Sequence, residues 1–203
     1  MSAARPATAQ GFAPGAAERL PLPPLDAMSA AQRAAAEAII AGPRKAVFGP
    51  FVPLLQTPAL MERIGKTGEA LRFDGQLPGR LRELAICVVA RETSNQFEWQ
   101  MHAPLARQAG VAAGAIEALA AGRRPRELAP DEACVLDFVG ELLRRHGVSD
   151  ATYAEASALL GAAGTVELAA LAGYFAMVCW VMNVARTPGV NGSPEPGLAA
   201  FPA

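Results

Sequence analysis

The sequence has few charged residues, and the two signs nearly cancel. Only 18% of its 203 residues are Asp, Glu, Lys or Arg, and 18 basic residues stand against 19 acidic ones, for a formal net charge of -1. A chain without a basic excess lacks the electrostatic attraction that draws proteins to nucleic acid or to an anionic membrane surface. We therefore expect neither nucleic acid nor a membrane as a partner.

Cysteine and histidine are also scarce. The chain has two histidines and three cysteines, and Cys87, Cys134 and Cys179 lie far apart in apolar runs. Disulfide frameworks need paired cysteines, and zinc sites need clustered cysteine and histidine. The sequence thus predicts no disulfide framework and no zinc site. Residues 1–28 lack a basic cluster followed by an unbroken apolar stretch, so we expect a cytoplasmic protein rather than a secreted one.

Strand-like alternation and internal repeats are both missing, whereas helix signals recur along the chain. Ser29 precedes Gln32 in a capping-box pattern, Pro58 follows Thr57, and Ser149 opens a later helix. These signals predict an all-α fold of about seven or eight helices. We expect a flexible Pro/Ala-rich arm over residues 1–28, a helical domain over 29–188 and a C-terminal tail over 189–203. Residues 42–55, rich in Gly and Pro, are predicted to form an apolar loop.

Apolar residues are abundant, at 52% of the chain, and residues 168–185 carry no charge. That run approaches the length of a membrane span. Its small residues, and the polar side chains of Tyr174 and Asn183, favour instead a helix buried in the core of an oligomer. The apolar excess therefore predicts a homo-oligomer.

Three polar residues stand out on two consecutive predicted helices. Glu83 shares a face with Ile86 and Cys87, although a glutamate in a first helical turn also suits the helix dipole. Glu98 and His102 are four residues apart and so lie on one face of the next helix. Such a pair can be an acid/base couple, half of a metal site or a solvated helix pair.

The arrangement of these residues resembles the core of the carboxymuconolactone decarboxylase family. The resemblance rests on the order of short motifs within roughly residues 43–188: Arg82-Glu83-Leu84, Ala90-Arg91, Phe97-Glu98-Trp99, His102 and Pro104-Leu105-Ala106. It implies an alkylhydroperoxidase D-like helical bundle that assembles as a dimer, trimer or hexamer. It also implies a cofactor-independent carboxy-lyase acting on a small carboxylated lactone, a reaction of aromatic catabolism.

The same resemblance suggests a role for each candidate catalytic residue. His102 would carry the proton that the substrate carbon receives, and Glu98 and Glu83 would orient the imidazole and tune its pKa. The related alkylhydroperoxidase D branch carries a C-x-x-C pair on this helix, whereas Asn95 and Glu98 occupy those places here. A peroxidase is therefore disfavoured. The sequence leaves two further functions open, a metal-dependent enzyme that uses the two glutamates with His102 and a non-catalytic oligomeric binding protein.

Two carboxylates beside an anionic substrate repel it unless a cation intervenes. Arg44 is the predicted cation, with Lys45 beside it, although both also fit an ordinary solvated pair. Phe51, Phe97 and Trp99 are predicted to wall the substrate pocket, although aromatic residues at helical spacing often belong to the core.

Overall fold

The computed structural model describes residues 17–199, and within this range the chain forms α-helices and no strand. The predicted all-α class is therefore confirmed. A short 3-10 helix, Leu25–Ala27, precedes the first α-helix, and a π-helical segment, Ala70–Asp74, extends the third. The α-helices are α1 (Ala30–Ala41), α2 (Phe51–Leu54), α3 (Pro58–Glu69), α4 (Gly79–Glu92), α5 (Gln96–Gln108), α6 (Ala113–Ala120), α7 (Pro130–Arg145) and α8 (Asp150–Ala185). Most of the predicted arm, residues 1–16, lies outside the described residues.

Most helices begin where the local sequence predicts. Ser29 and Gln32 close a reciprocal capping box at α1, Pro58 is the first residue of α3, and the Ser149 side chain accepts a hydrogen bond from the amide of Thr152 at α8. The two serine side chains accept hydrogen bonds from backbone amides that have no partner within their own helix. Pro58 has no amide N–H, so no partner is needed at that position.

One element differs from the sequence-based expectation. Residues 51–54, predicted as loop, form the short helix α2, because Gly49 at φ +56° and Pro50 turn the chain into a helical conformation and all four side chains are buried. The two helices predicted within residues 150–185 are both present as the two parts of α8. They are separated, as predicted, at Gly161, whose φ of +69° and ψ of 174° are not helical.

Helix α4 is the centre of the fold and packs against α5, α7 and α8. Its residues from Leu84 to Ala90 are at most 4% exposed, so this helix is surrounded on every face, as its uniform hydrophobicity predicts. A polar side chain on α4 is consequently held in the interior of the molecule.

The described part of the predicted tail, residues 189–199, packs along α5. Pro104 cannot donate the helical hydrogen bond to the carbonyl of Gln100, and the Ser193 hydroxyl donates to that carbonyl instead, at 3.3 Å. The Gln100 side chain accepts the amide of Val190, and the Gln96 side chain accepts the amide of Leu198. These contacts fix the helix that carries Glu98 and His102.

Helix α8 is long and apolar enough to cross a membrane by length and composition, but 56% of its most apolar stretch is buried inside the bundle. It packs against α4 and α7. A core helix of a soluble protein shows this combination of apolar sequence and internal packing.

Candidate active site

Glu83, Glu98 and His102 form one buried cluster between α4 and α5. Nδ1 of His102 lies 2.6 Å from Oε2 of Glu83, and Nε2 lies 3.2 Å from Oε2 of Glu98. The three residues are 6%, 4% and 2% exposed. The structure thus brings together the three residues that the sequence singled out, and the imidazole bridges two carboxylates that come from different helices.

The geometry favours a protonated imidazole. A neutral ring carries one N–H, so its second nitrogen would direct a lone pair at a carboxylate. Burial alone lowers the pKa of His102, but its hydrogen bonds to Glu83 and Glu98 outweigh burial and raise that pKa above 6.5. Burial likewise raises the pKa of Glu83, but His102, Arg72 and Arg82 together lower it below 4.5. The geometry and the direction of both pKa shifts therefore favour an imidazolium between two carboxylates, and Nε of Arg82 lies 3.5 Å from the carboxylate of Glu83.

Neighbouring side chains hold this cluster in place. Oδ1 of Asn95 accepts a hydrogen bond from the amide of Glu98 at 2.8 Å, and Nδ2 of Asn95 donates to the carbonyl of Cys179 and to Oδ1 of Asn183 on α8. The ring of Phe175 meets the imidazole edge to face, with centroids 5.3 Å apart. Asn95 therefore fixes the first turn of α5 against α8, and Phe175 limits rotation of the imidazole.

A cavity of about 70 Å³ opens beside the cluster. Glu98 and His102 line it, whereas Glu83 lies behind His102 and is not part of the wall. His102 and Glu98 thus both face the cavity, and Glu83 contacts it only through His102. The other lining residues are Arg44, Phe48, Pro50, Phe51, Arg72, Phe97, Met101, Tyr174, Phe175 and Val178.

Three of the four predicted substrate-binding residues, Arg44, Phe51 and Phe97, line this cavity. Trp99 does not, because it is 0% exposed in the hydrophobic core, where the packing of α5 directs it away from the cavity. The Arg44 guanidinium is already neutralised by Glu69 at 2.7 Å, and it stacks on Phe51 at 4.5 Å. Lys45, the second predicted cation, is exposed and does not line the cavity.

Sequence reasoning misses two polar residues of the cavity, Arg72 and Tyr174. Arg72 lies in the π-helical segment, whose wider turn changes the direction of its side chain relative to the α-helical pattern. Tyr174 stands out in the sequence only as a polar group on an apolar helix. Burial, more than any other factor, raises its pKa to about 12, so the hydroxyl keeps its proton.

The cysteines and the arrangement of metal-ligating side chains bear on the peroxidase and metal-enzyme hypotheses. All three cysteines are buried and unpaired, and burial raises the pKa of Cys134 to about 11 and those of Cys87 and Cys179 well above 9.0. Buried thiols with raised pKa values are poor nucleophiles. Within residues 17–199, no group of three His, Cys, Asp or Glu side chains is arranged to hold a metal ion, and both nitrogens of His102 already face carboxylates.

Comparison with known proteins supports the resemblance seen in the sequence. Residues 58–135 match the model of the carboxymuconolactone decarboxylase family. The fold is similar to a crystal structure described as an alkylhydroperoxidase AhpD core, an uncharacterized peroxidase-related protein from Ralstonia eutropha JMP134. The TM-score is 0.69 at 16% identity, over 86% of this chain and 93% of that one. No curated protein matches the sequence.

Proposed function

We propose that this chain, which fits the carboxymuconolactone decarboxylase and alkylhydroperoxidase D-like family, is a cofactor-independent enzyme that decarboxylates a small carboxylated lactone or carbonyl compound. The observation that carries the proposal is the buried Glu83–His102–Glu98 cluster at the wall of a cavity. A charged imidazole shared by two carboxylates stores a proton away from water, and this is what protonation of a carbon atom requires. We propose the cytoplasm as its place of action, as its sequence predicts.

The proposed reaction breaks the bond between the substrate carbon and its carboxylate. Carbon dioxide leaves, and the bonding electrons move into the conjugated carbonyl to give an enolate. Nε2 of His102 passes its proton to Glu98, and Glu98, the carboxylate at the cavity wall, delivers it to the carbon. Glu83 stays charged behind the ring and holds it in position during the transfer. This assigns Glu98 the contact with the substrate and makes His102 the source of the proton.

Turnover of a carboxylated lactone by variants of the cluster tests the proposal. His102→Gln keeps the hydrogen-bonding capacity but carries no transferable proton, so we expect turnover to fall about 100-fold or more, the usual loss when general acid/base help is removed. The turnover of Glu98→Gln is expected to fall by a comparable factor. His146→Gln, at an exposed position outside the cavity, is the matched control. Full turnover by folded His102→Gln would refute the site assignment.

We also propose that the chain self-associates through one face of α8. The exposed side of this helix repeats at intervals of four and three residues, through Val166, Ala170, Gly173, Met177, Trp180 and Val184. Every one of these residues is apolar, and Val166, Trp180 and Val184 are 70%, 59% and 66% exposed. An exposed apolar stripe with the spacing of a coiled-coil seam is typical of a helix that packs against another helix.

The order of side-chain sizes along this stripe suits a second copy of the same helix in antiparallel orientation. About a two-fold axis at its midpoint, Trp180 faces the small residue Ala170 of the other copy, Met177 faces Gly173, and Val184 faces Val166. The two largest side chains thus meet small ones, as close helix packing requires. A self-complementary patch of this kind is what a two-fold homodimer uses.

A further inference from the structure

Arg72 is the one cavity-lining cation that no carboxylate of residues 17–199 neutralises by direct contact. Its guanidinium makes no hydrogen bond and has no carboxylate oxygen within 4 Å among these residues, although its charge interacts with those of Glu83 and Glu98. It lies over the ring of Phe73 at 5.1 Å. Arg44, the other arginine of the cavity, is bound to Glu69 and to the carbonyl of Gly65.

The backbone that carries Arg72 is held in place. The turn that follows the π-helical segment is fixed by Glu167 of α8, whose two carboxylate oxygens accept the amides of Gln76 and Leu77 at 2.9 and 3.0 Å. A side chain at Gly75 would collide with the same carboxylate, since its Cβ would lie 2.3 Å from Oε1 of Glu167. A half-buried guanidinium beside a fixed turn loses little conformational freedom when it binds a ligand.

The geometry points to Arg72 as the binding group for a carboxylate that the substrate keeps throughout the reaction. This inference rests on the proposed function and specifies the substrate as an acid with a second, retained anionic group. The carboxylate that departs must lose its negative charge, so pairing it with a guanidinium would stabilise the ground state and slow the reaction. A retained carboxylate pairs with Arg72 equally in the ground and transition states, and it places the departing group near Glu98.

Arg72 also answers the electrostatic difficulty of an anion beside two carboxylates. The imidazolium of His102 and the guanidinium of Arg82, whose Nε lies 3.5 Å from Oε1 of Glu83, offset the charges of the two glutamates. The ion pair of Arg44 with Glu69 adds no net charge. The positive charge of Arg72 therefore remains available to an anionic ligand, and its planar donor group at the cavity wall fits a carboxylate.

Binding of furan-2-carboxylate, a ring-sized acid, tests this role without any need for turnover. Calorimetry at neutral pH and low salt would compare it with the uncharged furan-2-carboxamide, for the wild-type protein and for Arg72→Gln, Arg72→Lys and Arg63→Gln. Arg63 is an exposed arginine of the adjoining helix α3 and serves as the control for charge. We expect Arg72→Gln to weaken binding of the acid about tenfold or more, the scale of a lost charge-assisted hydrogen bond. Binding of the amide should not change.

The outcomes separate this inference from the proposed reaction. Equal binding of acid and amide by the wild-type protein, no binding of the acid, or unchanged acid binding by Arg72→Gln would each overturn the role of Arg72. Should Arg72→Gln fail to fold, Arg72→Lys keeps the charge and must retain part of the preference for the acid. Arg72-dependent binding of the acid in a protein that turns over no carboxylated lactone would refute the proposed function alone.

Discussion

Replacing Glu83 by Gln isolates the contribution of the carboxylate behind His102. The Gln amide can still accept the hydrogen bond from Nδ1, so the change removes the negative charge while keeping the shape. In the wild type, Nδ1 of His102 and Oε2 of Glu83 are 2.6 Å apart, and the side chains of both residues are almost fully buried. A charge-assisted hydrogen bond contributes about 1 kcal/mol more than a neutral one. We therefore expect the imidazole to hold its proton less tightly in the variant, so that the pKa of His102 falls.

The sign of the effect on stability follows from the direction of each pKa shift. The raised pKa of His102 gives a stabilisation that is fully present below 6.5 and is lost as the pH rises through the raised value. The lowered pKa of Glu83 gives a stabilisation that is present above 4.5 and is lost as the pH falls through the lowered value. In Glu83→Gln, the loss of stability on the alkaline side should be smaller and should be complete at a lower pH, and the contribution of Glu83 at acid pH should disappear.

Proton NMR titration measures the change directly, because the chain contains only two histidines. The signal of His146, which is exposed and outside the cavity, is the internal reference. Urea denaturation at a series of pH values measures the predicted changes in stability. An unchanged or higher midpoint for His102 in Glu83→Gln would refute the view that its proton is held by two carboxylates.

Two further predictions concern the packing of the cavity wall and the exposed face of α8. Gly68→Ala should cost about 1–3 kcal/mol in urea denaturation, because the new Cβ would lie 2.1 Å from the Tyr174 hydroxyl, whereas Gly114→Ala, with open space around it, should cost nothing. Trp180→Glu should lower the mass measured by light scattering at micromolar concentration. Tyr153→Glu should not lower it, because Tyr153 is a similarly exposed residue of α8 that lies off the apolar stripe. A monomeric wild type would refute self-association.

The fold was predictable to the extent that its signals are local. Capping residues and Gly/Pro breaks depend on a few neighbours in sequence, and they placed the start of α1, α3 and α8 correctly. The short helix α2 was missed because four residues are too few for a periodic pattern, and its formation depends on burial against other helices. The break at Gly161 within α8, in contrast, was predicted from the glycine itself.

The candidate site shows the same limit at the level of side chains. The helical spacing of Glu98 and His102 predicted that they share a face, but their contact with Glu83 depends on how α4 and α5 pack. Arg72 carried no sequence signal, because its direction depends on the π-helical segment and on the turn that follows it. In that turn the amides of Gln76 and Leu77 donate to Glu167 of α8, which is 91 residues beyond Gln76 along the chain. Trp99 is a large aromatic residue of the kind that often lines a pocket, and only the packing of the core shows that it does not line this one.

Asn95 and Glu98 are the residues that, under the proposed function, replace thiol chemistry by proton transfer. In the C-x-x-C arrangement that the sequence lacks, two thiols would stand at these places, ahead of His102 on the same helix. Here Asn95 uses both ends of its amide for structural bonds, to the amide of Glu98 and to α8. Glu98 presents a carboxylate to the imidazole at 3.2 Å. A carboxylate can exchange a proton with an imidazolium but cannot form a disulfide or a sulfenic acid, so the proposed role of this histidine is to exchange a proton with an acid/base group.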